Sequence, residues 1–166
     1  MNMIRTGFGY DIHRLVTQRK LILGGVVIPS EVGLLGHSDG DVLLHAICDA
    51  LLGAAALGDI GKHFPDTDKK FKDVSSLSFL STVRELLEQN RFRVINVDST
   101  VVIERPKIAS FIPEMQRNIA DALDIQNSQV SVKATTNEGL GQVGSGEGCA
   151  AYAVASLQPL ETPPKG

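Results

Sequence analysis

Histidine and aspartate side chains gather in one part of this chain, and together they have the chemistry of metal ligands. All four histidines fall between positions 13 and 63, and seven aspartates lie in the same segments. Imidazole and carboxylate groups are the usual ligands of zinc and related divalent ions. The sequence therefore predicts a metal-centred active site.

Asp11, His13 and His45 are the strongest candidate ligands. Residues i and i+2 of a strand share a face, so Asp11 and His13 point the same way. Glycines at positions 7 and 9 on that face predict open space beside the two ligands. Two imidazoles and one carboxylate leave a tetrahedral ion one open position, as in a catalytic zinc site.

His45 belongs to a segment with the spacing of a helix, and this allows another interpretation. Asp41 and Asp49 lie four residues before and after it, on the same helical stripe. His45 could simply pair with either aspartate. If His45 binds metal, Asp49 becomes a possible outer partner that accepts from the second ring nitrogen.

Two further groups of polar residues permit both a functional and an ordinary structural interpretation. His37 and Ser38 precede the predicted helix, whose first N–H groups could bind a phosphate or could merely be capped by Ser38 or Asp39. Three loop aspartates could accept from the hydroxyls of a polyol or could be turn residues: Asp59, Asp66 and Asp68. Residues 133–138 suit phosphate and a second hard cation such as magnesium, although a Thr-rich strand is unremarkable.

The elements that must position these residues follow from hydrophobic periodicity. Helices and strands alternate, which predicts an α/β or α+β fold with a sheet covered by helices on one face. We expect one catalytic domain at 1–158 and a flexible tail at 159–166. The predicted elements are strands at 4–13, 94–104 and 130–136, a Gly-Gly hairpin at 21–29, helices at 40–57, 74–90 and 110–123, and a helix or strand pair at 149–157.

Composition narrows the class of protein. A net charge of −3 without basic clusters argues against nucleic-acid binding, and no apolar run has the length of a membrane span. Two cysteines give no disulfide framework, which suits a reducing compartment. We expect a bacterial cytoplasmic protein, with a processed plastid form as the alternative.

Several motifs in order make the chain resemble the 2-C-methyl-D-erythritol 2,4-cyclodiphosphate synthases over residues 4–157. The motifs include Gly-Tyr-Asp11-Ile-His13, Gly-His37-Ser38-Asp-Gly-Asp-x3-His45, Gly-Asp59-Ile-Gly-Lys-His-Phe64-Pro-Asp66-Thr-Asp68, Pro106-Lys107 and Lys133-Ala-Thr135-Thr136-x-Glu138. The resemblance implies that 4-diphosphocytidyl-2-C-methyl-D-erythritol 2-phosphate is cyclised by attack of its own 2-phosphate, with release of CMP. Such a phosphorus–oxygen lyase belongs to non-mevalonate isoprenoid biosynthesis.

Site roles also follow from the resemblance, position by position. It implies zinc on Asp11, His13 and His45, and magnesium or manganese on Glu138 with the substrate phosphates. His37 and Thr136 would stabilise the transition state. The implied substrate contacts are Ser38, Asp59, Ile60, Gly61, Phe64, Asp66, Asp68, Ile103, Pro106, Lys107, Ile108, Ala109, Ala134, Thr135 and Asn137. The family forms homotrimers, with the sheets facing the threefold axis and adjacent subunits supplying the two halves of each site.

Two alternatives and one departure from the family pattern stay open at this point. The same three ligands would serve a zinc-dependent phosphohydrolase, which attacks with metal-bound hydroxide. A non-enzymatic trimeric binding module, in which the histidines only stabilise the fold, is the other alternative. Gln142 and Ser145 stand where relatives often have an aromatic residue and an arginine, which weakens the case for isoprenoid diphosphate binding in a central cavity.

Overall fold

A five-stranded sheet with helices on one face forms the core of the protein. The structure, a computed structural model, describes residues 3–160. Its elements are β1 Arg5–Thr17, β2 Leu21–Leu23, β3 Val26–Ile28, β4 Val32–Leu34, α1 Val42–Ala55, α2 Ile60–His63, α3 Ser76–Gln89, β5 Phe92–Val102, α4 Ile112–Leu123, β6 Val130–Thr135, α5 Gly141–Gly144 and β7 Gly148–Pro159, with short 3-10 turns at Lys69–Phe71, Ala109–Phe111 and Asn127–Gln129.

The sheet has the strand order β4-β1-β7-β5-β6, and β2 pairs with β3 in a separate hairpin. Strands β5 and β6 are parallel, and the other neighbouring pairs are antiparallel. Helix α1 packs on β1 and β7. Helix α3 packs beside α1 and reaches β5, and α4 packs against α3 and β6. The mixed α/β architecture predicted from the sequence is thus confirmed.

Two strands differ from their predicted extents. Strand β1 continues beyond position 13 to Thr17 because its last residues pair with β4, a three-residue strand that the sequence did not reveal. The Ala-rich segment near the C-terminus is one long strand, not a helix or a strand pair. It alternates between alanines buried under α1 and exposed Tyr152 and Val154, as a half-buried strand does. Strand β7 also includes Pro159, and residues 161–166 of the predicted tail lie outside the described part.

Asp41 caps helix α1, which corrects the expectation that Ser38 or Asp39 would do so. Its carboxylate accepts from the N–H of Leu44 at 3.1 Å and from the N–H of Gly25 at 2.8 Å. Gly24 and Gly25 have positive φ angles of 58° and 73°, as a tight Gly-Gly hairpin turn requires. Full burial raises the pKa of Asp41 to about 6. One carboxylate therefore ties the β2–β3 hairpin to the start of the helix.

Gly7 and Gly9 allow the backbone of α1 to lie directly on β1. A Cβ atom added at Gly9 would lie 1.9 Å from the carbonyl oxygen of Ala46, and one at Gly7 would lie 2.0 Å from that of Ala50. The predicted open space beside Asp11 is therefore wrong, because the helix fills it. His45 precedes Ala46, so this close approach brings its ring to the ligand face of β1.

The opposite face of β1 and β7 carries large apolar side chains that remain exposed within one chain. We call them the apolar strip: Phe8, Tyr10, Ile12, Tyr152 and Val154, each at least 40% exposed. Tyr152 lies between the rings of Tyr10 and Phe8, with centroid distances of 5.0 Å and 6.3 Å. Between residues 3 and 160, no helix is both long and apolar enough to cross a bilayer.

Replacing Gly9 by alanine tests the close approach. The new methyl group would overlap the Ala46 carbonyl, so we expect α1 to shift and the free energy of unfolding to fall by roughly 3 kcal/mol or more. Urea unfolding measures this change. Gly53→Ala is the matched control, since its Cβ would meet nothing closer than the Phe8 carbonyl at 4.0 Å. That helical substitution should be neutral or stabilising by up to about 1 kcal/mol. Equal behaviour of the two variants would contradict the packing argument.

Candidate active site

Asp11, His13 and His45 converge around one point, as the strand and helix spacing predicts. The Asp11 Oδ2 atom lies 2.8 Å from His13 Nε2 and 2.9 Å from His45 Nδ1. The two ring nitrogens are 3.2 Å apart. All three side chains are half-buried and offer their ligand atoms to one another. In the described part of the chain, this is the one group of three such residues with metal-binding geometry.

The outer nitrogen of each imidazole has a hydrogen-bond partner. His13 Nδ1 lies 2.5 Å from the carbonyl oxygen of Leu35. A carbonyl only accepts, so Nδ1 carries the hydrogen and Nε2 keeps its lone pair. His45 Nε2 lies 2.9 Å from the hydroxyl of Ser76 and 3.1 Å from that of Ser38. The neutral His13 ring thus turns an unprotonated nitrogen toward Asp11.

The three groups polarise one another electrostatically. Burial alone would raise the pKa of Asp11, but hydrogen bonds from His13 and His45 outweigh burial and hold this pKa below its usual range. Burial alone would lower the pKa of His13, but its hydrogen bond to Asp11, the negative charge of Asp11 and the hydrogen bond to the Leu35 carbonyl together outweigh burial, so this pKa lies above the ordinary value. An ionised carboxylate and two imidazoles form a suitable ligand set for a divalent cation. When such a cation binds, it displaces the protons that these groups share.

The arrangement fits a zinc-type ion. Zinc bonds of about 2.0–2.1 Å in a tetrahedron place ligand atoms about 3.3 Å apart. The three atoms here lie slightly closer together, as expected where hydrogen bonds hold them. Small outward shifts would admit the ion, and three protein ligands would leave one position for substrate.

A cavity of about 400 Å³ opens over these ligands. That volume falls within the range of small-molecule sites. Of the predicted substrate contacts, the cavity includes His37, Ser38, Ile60, Gly61, Phe64 and Asp66, and its remaining lining residues are Asp49, Pro65, Phe71 and Phe79 in addition to the three ligands. The loop between α1 and α3 therefore forms one wall, as its polar composition predicts.

Two loop aspartates that were predicted to contact substrate have structural partners. Asp59 caps α2 by accepting from the N–H of Lys62 at 2.9 Å. Asp68 accepts from the N–H of Lys70 at 3.0 Å and pairs with its ammonium group, and these bonds lower the pKa of Asp68. Neither is among the residues that line the cavity. Both aspartates therefore have the backbone contacts that the turn interpretation predicts, and their contact with substrate stays a prediction.

The other predicted contacts form a separate group at the ends of β5 and β6. We call it the β5–β6 cluster: Ile103, Pro106, Lys107, Ile108, Ala109, Ala134, Thr135, Thr136, Asn137 and Glu138. Asn137 donates its N–H to Glu104 Oε1 at 2.7 Å, and Thr136 donates its hydroxyl to Glu138 Oε1 at 2.7 Å. Ile103 and Ile108 are buried, so only their main chains face outward. Residues 133–138 are all exposed.

The sheet register gives the distance between the two groups. Asp11 pairs with Ala151, Ala151 with Val101, and Val101 with Ala134. Ala134 is therefore level with Asp11 but three strand spacings away, about 14 Å across the sheet. None of the β5–β6 cluster lines the cavity over the metal ligands. Within one chain, the structure does not bring the two predicted halves of the site together.

Asp49 does not have the role predicted for it. Its carboxylate accepts from the N–H of Ile60 at 2.7 Å and so holds the start of α2. Burial raises the pKa of Asp49, although this backbone hydrogen bond opposes the rise. The second nitrogen of His45 is instead bound by Ser76 and Ser38. Asp49, one turn further along α1, reaches the loop rather than the ring.

Arg19 is a supporting residue that the sequence did not indicate. Its guanidinium donates to the carbonyls of Leu34, Gly36 and Ser38 at 3.3, 3.2 and 2.9 Å. These contacts fix the segment that presents the Leu35 carbonyl to His13 and places His37 and Ser38 at the cavity. No local pattern marks Arg19, because its partners lie 15 to 19 residues away and are main-chain atoms.

Gln142 lies within α5 and Ser145 directly follows this helix, and both residues are exposed. The Ser145 hydroxyl has two acceptors within reach, Glu147 Oε1 at 2.7 Å and the Gln142 carbonyl at 3.0 Å. Gln142 lines a small cavity of about 170 Å³ with His13, Arg14 and Glu147. Neither residue provides a positive charge at this surface.

The fold and the site define a mixed α/β protein in which three side chains with metal-binding geometry converge beside a substrate-sized cavity. The YgbB family model matches residues 4–158. A 2-C-methyl-D-erythritol 2,4-cyclodiphosphate synthase of Clostridium perfringens is 60% identical over 154 residues, which are 93% of this chain and 99% of that protein. The chain belongs to the YgbB family.

Solved structures of related proteins share the fold. IspF of Plasmodium falciparum, in complex with CDP, matches with a TM-score of 0.84 and 38% identity over 97% of this chain and 99% of that one. The bifunctional IspDF of Campylobacter jejuni matches with a TM-score of 0.93 and 43% identity over 97% of this chain. This chain spans 44% of that bifunctional protein.

Removal of any one of the three ligands should weaken zinc binding. We expect Asp11→Ala, His13→Ala and His45→Ala each to lose more affinity than the roughly 10–100-fold that follows loss of an outer partner. Competition with a chromophoric chelator measures the affinity. His63→Ala is the matched control, because that ring donates to the Leu57 carbonyl and does not line the cavity. Zinc binding that persisted in all three ligand variants would refute the site.

Proposed function

We propose that the protein converts 4-diphosphocytidyl-2-C-methyl-D-erythritol 2-phosphate into 2-C-methyl-D-erythritol 2,4-cyclodiphosphate and CMP. Membership of the YgbB family, with curated relatives that carry this synthase name at about 60% identity, is the main support. The convergence of Asp11, His13 and His45 over a cavity is the structural observation that carries it. The relatives do not favour the phosphohydrolase alternative.

The reaction needs positioning and charge neutralisation more than a protein nucleophile. A 2-phosphate oxygen of the substrate attacks the β-phosphorus, and the bond from that phosphorus to the bridging oxygen breaks, so that CMP leaves with the electron pair. Nucleophile and electrophile are in one molecule, and good orientation of such pairs is worth up to about 7–11 kcal/mol. A divalent cation bound by the three ligands would supply positive charge for the phosphate oxygens.

Residues around the cavity would fold and hold the substrate. His37 and Ser38 line it beside the ligands and offer hydrogen-bond donors to a phosphate group. Phe64 lies on Phe79 with a centroid distance of 4.4 Å and closes the apolar side of the cavity. Asp66 and the main chain near Gly61 face the same space and would accept from the hydroxyls of the erythritol.

A second subunit would complete the site. We propose that Thr136 stabilises the transition state and that Glu138 binds magnesium or manganese with the phosphates. Both residues belong to the β5–β6 cluster, whose Ala134 lies about 14 Å across the sheet from Asp11. Lys107, Thr135 and the rest of that cluster would hold the cytidine diphosphate end. We therefore propose a homotrimer in which one chain's cavity meets its neighbour's cluster.

The apolar strip supports this assembly. Phe8, Tyr10, Ile12, Tyr152 and Val154 form a contiguous exposed patch on the uncovered sheet face, and such patches mark contacts with other chains. Sheets that face a threefold axis would bury it.

The proposed metals follow from donor chemistry. Imidazole nitrogens suit zinc at Asp11, His13 and His45, while the lone carboxylate of Glu138 suits magnesium or manganese. Both cysteines are free and buried, so we also propose a reducing compartment, the bacterial cytoplasm.

Incubation of the zinc- and magnesium-loaded protein with the substrate tests the reaction. We expect CMP and the cyclic diphosphate in equal amounts, without solvent oxygen in either product. In ¹⁸O-labelled water, a phosphohydrolase would instead introduce label into a product, which would overturn the proposal. Asp11→Ala serves as the inactive control. If it kept its activity and only lost thermal stability, the histidines would be structural.

Mixed trimers test the shared site. Asp11→Ala breaks the metal half and Lys107→Ala the nucleotide half, so each homotrimer should lose most of its activity. Random co-assembly should restore roughly a quarter of the wild-type sites, because each mixed trimer gains one interface with two intact halves. Asp11→Ala co-assembled with His45→Ala is the matched control, since both changes lie in the same half. Rescue in neither pair would count against a site shared between subunits.

A further inference from the structure

We propose that Ser76, held by Asp39, is a positioning residue that fixes the orientation and tautomer of His45 for metal binding. Ser76 is the first residue of α3 and is fully buried. Its hydroxyl lies 2.9 Å from His45 Nε2, on the side of the ring opposite the ligand atom. The proposal rests on the metal centre of the proposed function but not on the reaction.

The direction of the hydrogen bonds follows from the third member. Ser76 Oγ lies 2.5 Å from Asp39 Oδ1. A carboxylate accepts, so the single hydroxyl hydrogen of Ser76 goes to Asp39. The Ser76 oxygen can then only accept from His45, which places a hydrogen on Nε2. The lone pair of His45 Nδ1 is left facing Asp11, where a metal ligand needs it.

Asp39 is itself fixed by the starts of two helices. Its Oδ2 atom accepts from the N–H of Ser76 at 2.9 Å, and its Oδ1 atom accepts from the N–H of Asp41 at 3.2 Å. Its own N–H donates to the Val74 carbonyl at 3.1 Å. The beginnings of α1 and α3 are therefore joined through one carboxylate. We infer that this joint, rather than an aspartate on α1, determines where the His45 ring points.

Ser38 is the second hydroxyl within reach of His45, at 3.1 Å, but its position differs from that of Ser76. Ser38 lines the cavity, where the proposed function uses it for phosphate. Ser76 is not among the lining residues and so remains available to His45 when substrate is present. The two serines lie 3.5 Å apart. Their roles can therefore be separated by measuring metal binding without substrate.

Metal affinity in the absence of substrate tests the proposal. We expect Ser76→Ala to bind zinc 10–100-fold more weakly than the wild type, as for loss of other outer partners of metal-bound histidine. Asp39→Asn should weaken it in the same direction, because an amide offers only one acceptor oxygen to the Ser76 hydroxyl and N–H. Ser76→Thr keeps the hydroxyl and should recover most of the affinity. Ser78→Ala is the matched control on the same helix, since that exposed hydroxyl donates to the Ser75 carbonyl.

The visible spectrum of the cobalt-substituted protein separates positioning from general stabilisation. Reorientation of the His45 ring should change the ligand-field bands in Ser76→Ala and not in Ser78→Ala. A lower melting temperature with unchanged zinc affinity and cobalt spectrum would overturn the proposal. If Ser76→Ala did not fold, the same two measurements on Asp39→Asn would decide. These measurements do not depend on the reaction. Unchanged zinc affinity in Ser76→Ala would contradict only this proposal, whereas a zinc-loaded wild type that forms no product would contradict only the proposed reaction.

Discussion

The close approach of helix α1 to strand β1 is the constraint on which the metal centre depends. Without side chains at Gly7 and Gly9, the carbonyls of Ala46 and Ala50 can occupy the space where Cβ atoms would lie. His45 comes from the turn that makes this contact, and its Nδ1 atom therefore lies 2.9 Å from Asp11. A larger distance between α1 and β1 would move His45 away from Asp11 and His13.

Different kinds of groups orient the two imidazole rings. A main-chain carbonyl orients His13, and that carbonyl belongs to a segment fixed by the guanidinium of Arg19. A hydroxyl orients His45, and that hydroxyl is held by a carboxylate at the start of two helices. Because both rings are already turned toward Asp11, a cation that binds there would require little rearrangement of the protein, which favours binding.

Sequence reasoning predicted the convergence of Asp11, His13 and His45 well because strand and helix periodicity act over short distances. The i, i+2 rule placed Asp11 and His13 on one face, and the helical His45 was expected to meet them as a third ligand, as it does in the structure. The meaning of Gly7 and Gly9 could not be predicted in the same way. A glycine shows that another element can approach the backbone at that position, but only the folded structure shows that this element is α1.

The partners of the ligands were mispredicted for a related reason. Asp49 was a natural choice for His45, because helical neighbours are visible in the sequence, whereas Ser76 lies 31 residues away and joins His45 only through packing of α3. The cap of α1 shows the same limit. Ser38, Asp39 and Asp41 are all good capping residues, and the hairpin N–H of Gly25 decides that Asp41 turns inward.

The uncovered face of the sheet connects folding with the proposed catalysis. Burial of the apolar strip releases about 25 cal/mol for each Å² of apolar surface, so association of chains is favoured independently of substrate. In one chain, Asp11 and Ala134 stay on the same level of one sheet, and no loop movement can bring strands three positions apart together. A substrate that met both regions at one reacting centre, as we propose, would therefore need the second region from another chain. The proposed assembly through the strip would leave every strand pairing intact.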